Sequence, residues 1–183
     1  TATGLGADTI LGGAGNDTIT GGAAADSITG GAGGDSIVLT ETGTNSDQVV
    51  MVEGDSVAPS ATSFAGATAA AGDTITFGSG VDTITGFTAG ASGDILDGVD
   101  AAAIPTTGIG VTVATGFTGD TFFLSGAFAA STGVFTIAAD GTGADTLILD
   151  VENHGANNIS AVNDAVVLIG VDSDDLHADN FTT

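Results

Sequence analysis

Asp8, Asp17, Asp26 and Asp35 stand nine residues apart, and Ile10, Ile19, Ile28 and Ile37 follow each of them by two. From Thr3 the chain reads TGLGADTIL, GGAGNDTIT, GGAAADSIT and GGAGGDSIV. A carboxylate that returns at a fixed period behind a glycine-rich stretch points to oxygen ligation. Ionised Asp offers only acceptor oxygens, and glycine adopts the positive-φ turns that let carbonyls converge. Such donors suit a hard cation of the calcium type over zinc or copper. With no cysteine in the chain there is no thiol ligand and no disulfide framework.

Elements must hold those carboxylates in place, and the period names them. A repeat this short builds a stacked architecture in which each unit covers the next. The four segments resemble the RTX (repeats-in-toxin) nonapeptide, G-G-x-G-x-D-x-U-x, with U a large apolar residue. The resemblance implies a parallel β-roll in which six residues turn, three form a short strand, and two nonapeptides complete one coil. Asp8 then lies over Asp26 on one edge, and Asp17 over Asp35 on the other, about 4.8 Å apart. Two such carboxylates repel by about 1 kcal/mol in water and about 4 kcal/mol near a protein surface. A cation between them removes the conflict.

Carried over from the family, one calcium site uses Gly4, Gly6, Asp8, Gly21, Ala23 and Asp26. The other uses Gly13, Gly15, Asp17, Gly30, Ala32 and Asp35. Thr3 and Ala24 stand where the pattern has glycine, so the third turn is expected to be less regular. A second block, residues 72–100, repeats the theme. Asp73 and Asp82 are nine apart, each followed by Thr-Ile-Thr, with Gly78 and Gly80 between them. The stretch DTITGF…GDILD resembles the closing element of RTX rolls, which adds Asp94 and Asp97 as calcium ligands. Asp100 lies eighteen after Asp82, but Ile95 and Leu96 read as strand, and that match is set aside.

Between these blocks, residues 41–71 read as a strand-and-loop connection. Glu41, Asp47, Glu53 and Asp55 there read as solvated loop acids. Residues 101–183 read as a β-rich, sandwich-like cap or assembly region. FTIAAD, DTLILDV and DAVVLIGV are apolar runs bounded by turn residues. Phe117, Phe122, Phe123, Phe128 and Phe135 read as core. Asp140 to Asp145 is either a calcium turn or a β-turn. This region resembles the C-terminal portions of RTX-type surface-layer proteins exported by type I secretion, through ADTLILDV, a Gly/Asn loop and NDAVVLIGV. The expected organisation is residues 1–40 as roll repeats, 41–71 as connection, 72–100 as a second calcium-binding block and 101–183 as the cap.

Composition bounds the function. The 183 residues include 23 acids and no Lys or Arg, for a formal charge of −23. Nothing can neutralise phosphates, which excludes electrostatic nucleic-acid binding and attraction to an anionic membrane through a basic patch. Val, Ile, Leu and Phe make up about a quarter of the chain, above the roughly 20 per cent expected of disordered, highly charged sequences. With 31 glycines, many Ala and Thr and only 2 Pro, the pattern favours short strands and tight turns over helices. No apolar run reaches the roughly 18 residues of a membrane-spanning helix. The absence of an initiator Met and signal peptide reads as a processed product or a fragment.

No enzyme is expected. His154 and His177 are the only histidines and sit in polar loops outside any H-E-x-x-H motif, and Ser125 has no G-x-S-x-G setting. The expected fold is all-β, a calcium-binding parallel β-roll continuing into a β-rich sandwich-like C-terminal part. The expected function is that of a secreted, calcium-dependent structural protein at the bacterial cell surface, self-associating into a layer, matrix or filament. The alternative is the C-terminal calcium-binding and secretion module of a larger adhesin or hydrolase. A third reading is an ice- or sugar-binding face built on Thr9, Thr18, Thr20 and Thr29.

Overall fold

Each Thr/Ser-Ile-x triplet makes a short strand with a single inward side chain. In the computed structural model, which describes residues 5–41, 44–52, 54–56, 59–62, 70–78, 80–99, 121–139, 141–150 and 164–182, strands β1 (Thr9–Ala14), β2 (Thr18–Thr20), β3 (Ser27–Ala32) and β4 (Ser36–Val38) come from the four repeats. Successive strands alternate between two sheets. β1 pairs in parallel with β3, setting Ile10 beside Ile28, and β2 pairs in parallel with β4, setting Ile19 beside Ile37. The four isoleucines are buried between the sheets. This is the economy of a roll: a period of two within each strand, and one apolar residue per layer.

The coils continue beyond the repeats. β5 (Gln48–Val50) extends the first sheet beside β3. After it come β6 (Ala61–Thr62) and β7 (Thr74–Thr76), and then β8 (Asp82–Thr85) returns to the second sheet beside β4. β9 (Ile95–Asp97) stacks on β5. The chain then leaves again, through β10 (Thr121–Ala129), β11 (Val134–Ile137) and β12 (Asp145–Asp150). It re-enters as β13 (Asp164–Ile169), parallel to β8, and β14 (Phe181–Thr182), parallel to β9. The first sheet therefore runs β1-β3-β5-β9-β14, and the second runs β2-β4-β8-β13-β12-β10-β11-β7-β6. The second sheet is parallel up to β13 and antiparallel beyond it.

Two excursions from the roll thus become one antiparallel extension of its second sheet. Alternate residues of the extension serve two cores. Phe123, Ile148, Val166 and Leu168 face the roll interior with Ile28, Val49, Leu96 and Phe181. Leu124, Leu147, Leu149, Ala165 and Val167 join Ile75, Phe77 and Phe135 on the opposite face. Because β13 is covered on both faces, it reads as an unbroken apolar run where a half-exposed strand would alternate. The phenylalanines expected in the core are there. Phe123 and Phe135 are buried, Phe122 and Phe128 pack at the margin, and Phe117 lies outside the described residues. Phe123 meets Phe181 of the last strand edge to face, with centroids 5.2 Å apart. The described residues contain no helix long and apolar enough to cross a membrane.

Candidate metal centre

The aspartates line up because each one precedes a roll strand by a single residue or, for Asp82, opens it. Their hydrogen bonds form two columns. In the first, the Asp8 N–H donates to Asp26 Oδ1 at 2.7 Å, the Asp26 N–H to Asp47 Oδ1 at 2.7 Å, and the Asp47 N–H to Asp94 Oδ1 at 2.8 Å. In the second, the Asp17 N–H donates to Asp35 Oδ1 at 2.8 Å and the Asp35 N–H to Asp82 Oδ1 at 2.7 Å. The backbone returns the bond. Ser27 donates to the Asp8 carbonyl, Gln48 to that of Asp26, Ile95 to that of Asp47, Ser36 to that of Asp17 and Thr83 to that of Asp35. Each column is thus stitched twice per coil.

This leaves one oxygen on four of the column carboxylates with nothing to bind. Oδ2 of Asp17, Asp26, Asp35 and Asp47 is buried without a hydrogen-bond partner. Asp26, Asp35 and Asp47 are at most 3 % exposed. A buried carboxylate with an idle oxygen is costly unless a charge answers it, and among 183 residues no Lys or Arg is available to do so. The turns leave room beside these oxygens. A Cβ placed on Gly21 would stand 3.0 Å from Asp26 Oδ2 and 3.5 Å from Asp47 Oδ2, and one on Gly12 would stand 3.0 Å from Asp17 Oδ2. A Cβ on Gly30 would collide with Asp35 Oδ2. Glycine here keeps the space open for the carboxylate and for whatever the carboxylate binds.

The field is strong enough to hold protons when no cation is there. Asp82 is pushed up to about 7, chiefly by burial and further by the charges of Asp35, Asp164 and Asp55, against the Asp35 N–H bond. Burial also raises Asp35, opposed by the Asp17 N–H and reinforced by the Asp17 and Asp55 charges. It raises Asp94 too, where bonds from the Thr88 and Asp47 N–H groups pull the other way. At the strand spacing of about 4.8 Å, neighbouring charges in a column repel by about 3–4 kcal/mol at an effective dielectric near 20. Orphaned buried oxygens, open glycine turns and uncompensated repulsion together fit a hard divalent cation.

That geometry is the setting for a match along the sequence. Residues 3–37 carry four RTX calcium-binding nonapeptide repeats. The RTX repeats bind Ca²⁺, and proteins that carry them are typically secreted. No curated protein matches the chain. Among solved structures, the AlgE6R3 subunit from the Azotobacter vinelandii mannuronan C5-epimerase is 21 % identical, with a TM-score of 0.43 over 98 % of this chain and 80 % of that one. The AlgE6R2 subunit from the same epimerase is 22 % identical, with a TM-score of 0.47 over 94 % and 90 %.

The residues expected as ligands divide into three groups. Asp8, Asp17, Asp26, Asp35, Asp82 and Asp94 stand in the columns. Gly13 lies at the end of β1, Gly30 and Ala32 at the end of β3, and Gly15, Gly21 and Ala23 in the turns that follow strands, where the Gly15 N–H reaches the Ala32 carbonyl and Asn45 Nδ2 reaches that of Ala23. Each of those carbonyls keeps a second lone pair. Gly6 is exposed before Asp8, and Gly4 lies outside the described residues.

Asp73, Gly78, Gly80 and Asp97 are placed differently. Although nine residues from Asp82, Asp73 does not stack with it, because β7 pairs antiparallel with β11 while β8 lies between β4 and β13. Asp73 Oδ2 instead accepts from the Ala70 N–H. Gly78 (φ +70°) abuts Gly133 in that same antiparallel region, and Gly80 is buried in the link to β8. Asp97 faces outward on β9, where Gln48 Nε2 and Thr182 Oγ1 take its two oxygens. Asp145 accepts from the N–H groups of Gly170 and Phe128 and so ties strands, while Asp140 lies outside the described residues. His177 is an exposed turn residue whose Nδ1 accepts from the Asp179 N–H, and His154 lies outside the described residues.

Asp47 is the residue that sequence reasoning missed. It reads as a loop acid but is fully buried in the first column. Its spacing from Asp26 is 21 residues and from Asp94 is 47, so no period exposes it. The available signal was local: Asp47-Gln-Val49 repeats the acid-x-apolar step of the nonapeptides.

Proposed function

We propose that the chain is an extracellular structural protein that folds around calcium and self-associates into a surface layer, matrix or filament. The observation that carries the first half is the set of idle, buried Oδ2 atoms on consecutive coils. Calcium supplies the charge that this sequence lacks, cancels the repulsion within each column and fixes adjacent turns against each other. In a low-calcium cytosol the chain stays unfolded and export-competent, as type I secretion requires, and it folds outside. The role is structural, without catalysis.

Self-association is supported by the far end of the roll. β1 and β2 are the edge strands of their sheets, and Leu5 and Leu11 beside them are 93 % and 73 % exposed. Such an edge accepts further strands, and solenoid ends call for cover. A second copy stacked head to tail provides it and propagates. The same edge also favours a second reading, in which more roll from a larger secreted adhesin or hydrolase continues the sheets. Electron micrographs with calcium and with chelator distinguish the two. Ordered layers or filaments that disperse on chelation support self-assembly. A monodisperse monomer at every calcium level and protein concentration rejects it and leaves the module reading.

A further inference from the structure

A third carboxylate joins the first column where the regular repeat breaks off. Glu41, Asp47 and Asp94 each direct one oxygen to a common point, with the three atoms within 4.8 Å of one another. Asp47 and Asp94 are 0 % exposed. Two of the oxygens in this corner, Asp47 Oδ2 and Glu41 Oε1, are buried without a partner, while Glu41 Oε2 has only a long contact of 3.5 Å from Thr88 Oγ1. Asp94 is aimed by its own bonds, accepting from the Asp47 N–H through Oδ1 and from the Thr88 N–H through Oδ2. The walls are fastened independently of any ion. Ser46 Oγ donates to the Gly93 carbonyl at 2.6 Å, clamping the turn before β5 to the turn before β9.

The nonapeptide supplies one carboxylate per turn, so a pair of turns brings two. Here a side chain from outside the repeat brings a third.

We propose that Glu41, Asp47 and Asp94 form a calcium site of their own, fastening the coil of β5 to the coil of β9 across the excursion that carries β6 and β7. This rests on the reading of the columns as calcium-binding and adds to it a site in which three carboxylates oppose one divalent ion. Three anionic ligands raise affinity over two, because ligand charge count tunes calcium binding. The site also joins residues 47 apart in sequence, so its filling orders the later coils, which have no repeat of their own.

The test uses the full chain. Calcium stoichiometry and affinity are measured by calorimetry and native mass spectrometry for the wild type and for Glu41→Gln, which keeps size and removes one charge from a half-buried position. One ion fewer per chain, or a tightest step weakened at least about tenfold with the remaining ions still bound, supports the site. Equal stoichiometry with affinities unchanged within about twofold overturns it. A wild type that binds no calcium at all rejects the reading of the columns as well, and so marks a different failure. Anomalous diffraction from calcium-loaded wild-type crystals asks the same question without a variant. An ion about 2.3–2.6 Å from a Glu41 carboxylate oxygen is expected, and a Glu41 carboxylate with no ion beside it overturns the proposal.

Discussion

Asp26→Asn separates the two things that an aspartate does in its column. Asp26 accepts the Asp8 N–H through Oδ1 and keeps Oδ2 buried and unpaired. Asparagine retains the acceptor, so the stitch between coils survives, while the charge and the idle carboxylate oxygen are lost. Without calcium the change relieves repulsion from Asp8 and Asp47, about 3–4 kcal/mol for each neighbour before screening. The calcium-free chain therefore becomes no less structured. With calcium, one of two anionic ligands is gone. A loss of about 1.4–2.8 kcal/mol of binding then raises the calcium midpoint by about ten- to a hundredfold. Asp26→Ala is the control that also removes the acceptor, leaving the part-buried Asp8 N–H unmet at about 1–3 kcal/mol whether calcium is present or not. Far-UV circular dichroism against free calcium reads all three chains. An Asn variant whose calcium midpoint matches the wild type within about twofold would refute the reasoning. So would one that loses structure equally with and without the ion, because Asp26 would then be a hydrogen-bond acceptor alone.

Other consequences are as direct. Gly31 has φ +95°, and a Cβ on it would strike the Gly13 carbonyl of the coil above, so Gly31→Ala should cost at least about 1–3 kcal/mol and appear as a lowered melting temperature in saturating calcium. Asn180 is fully buried, accepts from the N–H groups of Gly90 and His177, and donates to the Gly90 and Asp94 carbonyls. Asn180→Ala should therefore destabilise the last coil by about 2–4 kcal/mol, visible as selective loss of amide protection in β9 and β14. In calcium-free buffer, stability should fall between about pH 4 and 7. Folded Asp82, at about 7, holds a proton that the unfolded chain releases near its ordinary value of 3.8, so the stabilisation is full below that value and lost as pH rises through 7. Calcium binding should strengthen over the same window and release protons, which calorimetry in buffers of different ionisation enthalpy would detect.

What the sequence discloses is what is local. The repeats at Asp8 to Asp35 are legible because Gly, Asp and Ile recur at one spacing, and that spacing follows from a turn and a strand of constant length. The apolar run at Ala165–Ile169 is legible as a strand for similar reasons. Its partner is not, because β13 joins β8 across an excursion of nearly eighty residues, and only packing decides that pairing. Asp47 escapes notice because the excursions between coils destroy the period while preserving the stack, 21 residues from Asp26 and 47 from Asp94. Asp73 shows the converse. Nine residues and a Thr-Ile-Thr strand imitate the repeat, yet the strand runs antiparallel and its acid turns to the Ala70 N–H. Spacing identifies a roll only where the intervening turn is also conserved in length and glycine content.

The central claim is that the two aspartate columns become ordered by calcium. Hydrogen exchange at the amides of Asp8, Asp17, Asp26, Asp35 and Asp47 tests it most directly, because each donates to the carboxylate of the next coil. The account predicts strong protection at all five in calcium and its loss together on chelation. Equal protection in both conditions would contradict it, showing columns that stand without the ion.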